Sequence, residues 1–182
     1  MNTTTKELIS DTLINLIKVK DVDKITVTEL VESCHISRQT FYYHFRDLND
    51  VFDWTIQTIT EDIVNKSFSS SSLYDTLSNF ISSCQELSPQ VNIMLRSQRR
   101  YVLEHSLTQS LRSSIETHID QLIFPEDMTE EDKSIYIDFL TYGLIGFIFE
   151  KKITTKENAD RITSSIYSMI THTLKNRVGA NL

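Results

Sequence analysis

The stretch "ITVTELVESCHISRQTFYYHF", residues 25–45, contains two short segments with helical periodicity, separated by a tight turn at His35-Ile36. In the first segment four apolar residues recur at i, i+3, i+4 and i+7, on one buried face of a short helix: Val27, Leu30, Val31 and Cys34. Thr26 and Glu29 have the spacing of a capping box at its start. Each segment spans only two or three turns, so each needs packing to be stable. Two such helices joined by so short a turn are typical of a helix-turn-helix unit.

The second segment, "SRQTFYYHF" at residues 37–45, divides its four aromatic rings between two faces. At about 100° per residue Phe41 and Phe45 share one face, which we expect to pack on the first helix. Gln39 and Tyr43 then point away from the core. The other residues beside them flank this outward direction: Arg38, Thr40, Tyr42 and His44.

The outward residues have the chemistry of a DNA-reading surface. In a helix-turn-helix protein the second helix enters the major groove with its N-terminal residues at the base edges. Arginine pairs with guanine, glutamine with adenine, and a threonine methyl contacts that of thymine, while tyrosine hydroxyls bind phosphates. An ordinary solvated helix explains any one of these residues, but the set, after a capped helix and a turn, favours DNA. The net charge of −7 opposes such a partner, yet residues 33–46 contain no acid.

Composition sets the fold class. The 182-residue chain has three glycines and two prolines, too few for the turns of a mostly β protein. Apolar positions recur at helical spacing throughout, which predicts an all-α fold of about nine helices. Cys34 and Cys84 lie far apart without a CxxC or CxxH pairing, which argues against a disulfide scaffold or a zinc finger. We expect no signal peptide, and residues 135–149, the most apolar stretch, are too short to span a membrane.

Local signals place the helices of a larger body after the helix-turn-helix unit. The serine-rich run "SFSSSS", residues 67–72, is expected to form a joint between the two parts. Ser88-Pro89 has the pattern of an N-cap followed by proline at the first helical position, so a helix is expected to begin there. The other helices are expected at about 5–19 and 48–66, from Ser72, and at about 97–123, 129–152 and 155–177. Ser37, Asp47, Ser72 and Thr129 are expected to cap helix starts.

Residues 25–54, "ITVTELVESCHISRQTFYYHFRDLNDVFDW", resemble the DNA-binding segment of the TetR family of bacterial transcription regulators. "RQTFYYHF", followed by Asp and then Trp, is most similar to the subgroup that includes regulators of dihydroxyacetone kinase genes. The resemblance is clear over about residues 5–60, and beyond residue 70 only the helix-rich layout and "YGLIGFIFEKKI" are similar. It implies a cytoplasmic, all-α homodimer without a cofactor. A helix-turn-helix DNA-binding domain would occupy residues 1–48, and a helical effector-binding and dimerisation domain residues 49–182.

The resemblance also implies which residues face a double-stranded DNA operator. They lie at the start of the first short helix and in or next to the second: Thr26, Thr28, Ser37, Arg38, Gln39, Thr40, Tyr42, Tyr43, His44 and Arg46. Two positions depart from the family pattern. His35 stands where glycine is common, and is expected to need a left-handed backbone. Leu48 stands where a phosphate-contacting lysine is common, and Arg46 is close enough in sequence to compensate.

The C-terminal body is expected to hold a dimer interface and an effector pocket. The interface candidates are two glycines that permit close helix approach and apolar residues of the last two helices: Gly143, Gly146, Phe147, Ile166 and Ile170. An intramolecular core is the alternative for these. The resemblance implies a small-molecule effector of unknown identity, for which the pocket candidates are Trp54, Phe80, Cys84, Met94, Tyr101, His105, Phe139 and Tyr142. Plain core packing is the more ordinary role of such residues. His105 and His118 lack metal-site spacing, so no metal is expected.

Three classes of function compete. The expected one is a transcription regulator that binds a pseudo-palindromic operator, as a repressor in the family's usual mode or as an activator. An enzyme is not expected, because the sequence has no Walker loop, GxGxxG, GxSxG or HExxH motif. The third class is a helical adaptor that binds protein through residues 37–45. An adaptor would not bind duplex DNA, whereas a DNA reader binds it with an affinity that falls steeply as salt rises.

Overall fold

The structure, a computed structural model, describes residues 4–118, 128–150 and 153–178. Within these ranges the chain is helical and contains no strand, which confirms the predicted all-α class. The helices are α1 (Thr5–Val19), α2 (Val27–Ser33), α3 (Arg38–His44), α4 (Leu48–Phe68), α5 (Leu73–Leu95), α6 (Arg100–Thr117), α7 (Glu130–Phe149) and α8 (Lys156–Val178). A short 3-10 helix, Val22–Lys24, lies between α1 and α2.

The described residues contain eight α-helices, close to the nine expected. The difference lies at Ser88-Pro89, where the expected helix start is wrong because α5 continues through the pair. Pro89 has no N–H to donate to the carbonyl of Gln85, which disfavours a helix interior. Ile81 and Met94, one on each side of the proline, are both buried. Packing on both sides of Pro89 therefore outweighs the local signal for a new helix start.

The predicted ends of two helices lie beyond the residues that the structure describes. α6 ends at Thr117 and α7 at Phe149. The expected continuations to residues 123 and 152 lie outside the described residues.

Side chains cap most of the helices, as the sequence pattern predicts. The following residues each accept a hydrogen bond from the backbone N–H three residues later: Thr26, Ser37, Asp47, Ser72 and Thr129. At Thr26 the expected capping box is only half formed. The Glu29 carboxylate instead accepts hydrogen bonds from Lys20 Nζ at 2.6 and 2.7 Å. This ion pair fastens the end of α1 to α2.

Buried apolar residues form two clusters. The first joins α1, α2, α3 and the start of α4 with Met94 and Leu103, which come from the end of α5 and the start of α6. The second joins the end of α4 with α5, α6, α7 and α8. α4 belongs to both, through Phe52 in the first cluster and Val64 in the second. The expected domain boundary between residues 48 and 49 falls in the first turn of this shared helix and stays a prediction.

α7 directs apolar side chains toward two sides. Ile137 and Ile145 are buried in the second cluster, whereas Phe139 and Tyr142 are exposed in the single chain. Apolar residues wrap nearly all round the helix in the sequence, which favours burial on both sides, but the single chain leaves the side of Phe139 and Tyr142 exposed. Among the described residues, no helix combines the length and the hydropathy that crossing a membrane requires.

Candidate nucleic-acid interface

The turn between α2 and α3 is a helix C-cap closed by a left-handed residue. His35 has a φ of 54°, and its N–H donates to the carbonyl of Glu32 at 3.1 Å. The N–H of Ile36 donates to the carbonyl of Val31 at 3.0 Å. These two bonds are those of a Schellman motif, in which glycine is the usual left-handed residue. The left-handed backbone expected at His35 is therefore present, and it fixes the angle at which α3 leaves α2.

α3 holds its two phenylalanines inward and its two tyrosines outward, as predicted. Phe41 is fully buried and Phe45 is 2% exposed, while Tyr42 is 55% and Tyr43 84% exposed. The ring of Phe45 also contacts that of Trp54, at 6.0 Å between centroids. α3 is thus anchored along one side, and its opposite side is open to solvent.

The polar side chains of α3 are held by neighbours on the same surface. Ser37 Oγ accepts from the backbone N–H of Thr40 at 2.9 Å, and the two hydroxyls lie 2.8 Å apart. Arg38 donates a hydrogen bond to the Thr28 hydroxyl across the α2–α3 junction. A guanidinium has five N–H donors, so this bond orients Arg38 and leaves donors for a further partner. Gln39 is exposed beside it.

The other predicted DNA-facing residues lie around this surface. Thr26 is exposed at the start of α2, and His44 is half-buried with its ring edge-on to Tyr43 at 4.9 Å. Arg46 lies just after α3 with an 87% exposed side chain, 3.5 Å from the carboxylate of Asp50. That hydrogen bond and charge raise the pKa of Arg46, and the backbone N–H of Arg46 is the largest cause of a lowered pKa at Asp50.

Leu48 explains one departure from the family pattern. Its side chain is buried in the first apolar cluster, next to the start of α4. A cation at this position would lose that packing. The positive charge nearest in sequence to this helix start is therefore Arg46, which shares its charge with Asp50.

The predicted pocket residues divide into two groups. Phe80, Cys84 and Met94 line an apolar cavity of about 140 Å³ between α1, α4, α5, α6 and α7. Trp54 lies elsewhere, packed against the first apolar cluster. Four other candidates are exposed in the single chain and do not line this cavity: Tyr101, His105, Phe139 and Tyr142. Periodicity alone did not distinguish the inner from the outer face of α6 and α7.

Sequence reasoning missed Gln90, the one amide in the lining of this cavity. Its Oε1 is buried and has no hydrogen-bond partner among the described residues. A signal was present in the sequence, because Leu87, Gln90, Val91 and Met94 follow at i, i+3, i+4 and i+7. This spacing places Gln90 on the apolar face of the helix, so the pattern predicts that its amide points into the core.

The predicted dimer-interface residues also fall into two groups, exposed and internal. Gly143 and Gly146 are exposed, and a Cβ built on either would meet, in the part of the chain that the structure describes, no atom within 4 Å apart from the helix's own nearby backbone. Phe147 is partly buried in the second cluster. Ile166 and Ile170 line a second cavity of about 260 Å³ inside the same chain, so both belong to an internal surface.

The described residues offer no metal centre, since no group of three His, Cys, Asp or Glu side chains among them is placed to hold an ion. His105 is exposed and stacks on Tyr101 at 5.7 Å between ring centroids. His118 stacks on Phe68 at 4.5 Å, with Nδ1 2.8 Å from the carbonyl of Ser114. Both rings have local packing partners.

Several solved structures share this helical architecture. No protein-family profile and no curated protein sequence matches the chain. Among solved structures, the dihydroxyacetone kinase operon activator DhaS matches with a TM-score of 0.67 at 16% identity, over 94% of this chain and 96% of that one. The TetR family repressor AlkX from Dietzia sp. strain DQ12-45-1b matches with a TM-score of 0.64 at 14% identity, over 95% and 96%. A TetR-family transcriptional regulator from Syntrophomonas wolfei str. Goettingen matches with a TM-score of 0.59 at 14% identity, over 91% and 94%. The chain therefore has the fold of the TetR-family transcription regulators.

Proposed function

We propose that this protein is a cytoplasmic transcription regulator that binds a pseudo-palindromic DNA operator as a homodimer and responds to a small-molecule effector. The observation that carries the proposal is the outward side of α3. Arg38, Gln39 and Tyr43 are exposed on the second helix of a helix-turn-helix unit, while Phe41 and Phe45 anchor the helix from behind. An exposed arginine and glutamine at the start of such a helix can hydrogen-bond base edges in the major groove.

Local charge supports a DNA partner despite the acidic chain. Residues 33–46 contain no carboxylate. The two acids that follow are engaged in the protein itself, because Asp47 caps α4 and Asp50 accepts hydrogen bonds from Arg46. Residues 33–46 therefore add only neutral or basic side chains to the surface that would meet phosphates.

A homodimer is supported by the open side of α7. Ile135, Phe139 and Tyr142 are 61%, 74% and 65% exposed, and Gly143 and Gly146 continue the same helical stripe. Each glycine disfavours a helix by about 1 kcal/mol relative to alanine. No neighbour among the described residues explains them, since no atom outside the helix's own backbone lies within 4 Å of a Cβ built at either position. A second copy packed on this stripe would bury the aromatic side chains, and its helix could approach closely at the two glycines.

The proposed domain division is a DNA-binding domain at residues 1–48 and an effector-binding and dimerisation domain at 49–182. Two buried clusters joined by α4 support two packed units, and the first cluster also includes Phe52, Met94 and Leu103 from beyond residue 48. Repression is the proposed mode. Activation is the second candidate, since the fold is shared with a protein described as an operon activator and with one described as a repressor. A reporter gene placed behind the operator distinguishes the two by the sign of its change when the protein is deleted.

The test of the proposed function is enrichment of genomic DNA fragments on the purified full-length protein at low salt, with and without cell metabolites. Enrichment of fragments that share an inverted repeat, and their release by a metabolite fraction, is the expected result. Failure to enrich any duplex would leave the adaptor interpretation in its place.

A further inference from the structure

The cavity of about 140 Å³ has the size of a single small ring. A dry protein cavity of about 150 Å³ lined by leucine, isoleucine and phenylalanine holds benzene. Here the walls include Ile14 and Ile17 of α1, Phe52 of α4 and Ile148 of α7. A molecule the size of benzene, with at most a small substituent, fits this space.

The walls are uncharged, and most of their polar groups already have partners. Thr55 Oγ1 donates to Ser10 Oγ at 3.0 Å, and Thr60 Oγ1 donates to the carbonyl of Ile56 at 2.7 Å. Gln90 differs, because its buried Oε1 accepts no hydrogen bond from any described residue. A buried acceptor without a donor is unfavourable, so a ligand that brings an O–H or N–H to Gln90 relieves that deficit.

The remaining polar atom of the walls is the thiol of Cys84. Burial raises the pKa of Cys84 to about 12. The thiol therefore stays protonated and neutral near neutral pH, and the thiolate needed for covalent attack is scarce. With no cation or anion in the lining, the cavity also lacks a counter-charge for an ionised ligand.

We infer that the effector is a small, neutral, apolar molecule of phenol's size that donates one O–H or N–H to Gln90 Oε1 inside this cavity. The inference rests on the proposed function, because it names the chemical class of the proposed effector. The second cavity, of about 260 Å³, fits this class less well. Its lining includes Ser70, Ser71 and Ser72, and none of the described residues that line it has a buried side-chain polar atom without a partner.

The position of the cavity gives the ligand a route to the DNA-facing unit. Ile17 and Phe52 line the cavity and also belong to the first apolar cluster, which contains Phe41 of α3. A ligand that contacts Ile17 and Phe52 therefore acts on the same packed core that holds α3.

The test is calorimetric titration of the purified full-length protein with phenol and with toluene, which is of similar size but has no donor. Phenol is expected to bind saturably at one site per chain, about tenfold tighter than toluene. Gln90→Leu should weaken phenol about tenfold and leave toluene unchanged. Gln85→Leu makes the same change on α5 outside the cavity lining and should leave phenol binding intact, as should Leu77→Trp, which fills the second cavity.

Three results would overturn the inference: no saturable phenol binding by the unaltered protein, phenol no tighter than toluene, or loss of phenol binding in Leu77→Trp but not in Gln90→Leu. Circular dichroism checks that each variant is folded, and the phenol–toluene comparison on the unaltered protein needs no variant. DNA binding is measured separately by fluorescence anisotropy. Specific DNA binding without phenol binding refutes this inference alone, whereas phenol binding without any specific DNA binding refutes the proposed function.

Discussion

The backbone N–H of Gln98 donates to both carboxylate oxygens of Asp23, at 3.1 and 3.2 Å. Asp23 lies in the 3-10 helix just before the helix-turn-helix unit, and Gln98 lies in the connection between α5 and α6. The next residue, Arg99, donates to Asn49 Oδ1 and places its guanidinium 5.0 Å from the ring centroid of Phe52. One short connection is thereby fastened both to the 3-10 helix before α2 and to the start of α4.

Asp23→Ala is expected to weaken the coupling between the cavity and the DNA-facing unit. Because the bond is exposed, the free energy of unfolding in urea should fall by only about 0.5–1.5 kcal/mol. The ratio of operator affinities with and without effector should change by about 0.5–2 kcal/mol, a range seen for residues that couple two sites. Asp11→Ala, an exposed acid on α1, is the matched control. An unaltered ratio in Asp23→Ala would show that the connection is only structural.

Gln39→Ala is expected to relax base preference at one position of each operator half-site. A lost bidentate contact to adenine is worth about 1–3 kcal/mol of discrimination. Competition binding with operators substituted one base pair at a time measures this. Gln57→Ala, an exposed glutamine on α4, should leave preference unchanged. A uniform loss across all sequences would mean that Gln39 touches only phosphate.

His35→Gly is expected to stabilise the protein. A left-handed backbone at φ 54° disfavours a residue with a Cβ by about 1–2 kcal/mol, and part of that gain is offset by the greater freedom of glycine when unfolded. The free energy of unfolding should rise by about 0.5–1 kcal/mol in urea denaturation. Ser33→Gly, two residues earlier and inside α2, should lower it by a similar amount. A destabilised His35→Gly would assign the His35 side chain a packing role.

The Asp50 carboxylate is expected to contribute stability that acid removes. The backbone N–H of Arg46 at 2.9 Å and its guanidinium hold the folded pKa of Asp50 below its ordinary 3.8. This contribution is therefore fully present above the unfolded pKa and is lost as pH falls from 3.8 through the lower folded value. The difference in unfolding free energy between the unaltered protein and Asp50→Asn should be constant above about pH 5 and shrink below pH 4. A difference that is flat across the acid range would contradict this account.

Phe139→Glu is expected to convert the proposed dimer into a monomer. The substitution places a charge on the exposed stripe of α7, where a second copy would bury it at a cost of several kcal/mol. Sedimentation velocity at micromolar concentration measures the change. Val19→Glu, at a residue 82% exposed on α1, is the control and should stay dimeric. A monomer in the unaltered protein would refute the proposed dimer itself.

The sequence was most informative where a periodic pattern coincided with strong local signals. The division of rings on α3 followed from about 100° per residue, because Phe41 and Phe45 had a defined partner in α2. The caps at Ser37 and Asp47 followed from side-chain chemistry that acts over three residues. Both features depend on residues only a few positions apart, so the local sequence contains the information that determines them.

Features set by distant packing were less predictable. Pro89 carries a strong start signal, but the burial of Ile81 and Met94 keeps α5 continuous. On α7 the apolar residues surround the helix, so no pattern distinguished buried Ile137 from exposed Phe139. Which side of α7 is buried depends on where the other helices of the chain pack. A second chain would bury a further side.

Selection of randomised duplexes by the purified protein at low salt measures whether α3 reads DNA. We expect enrichment of an inverted repeat whose half-sites lie about one helical turn apart, with affinity falling steeply as salt rises. We also expect that a double substitution, Arg38→Ala with Gln39→Ala, abolishes the enrichment while the protein stays folded. Failure of the unaltered protein to enrich any sequence, or equal enrichment by the double variant, would contradict a DNA-reading role for α3.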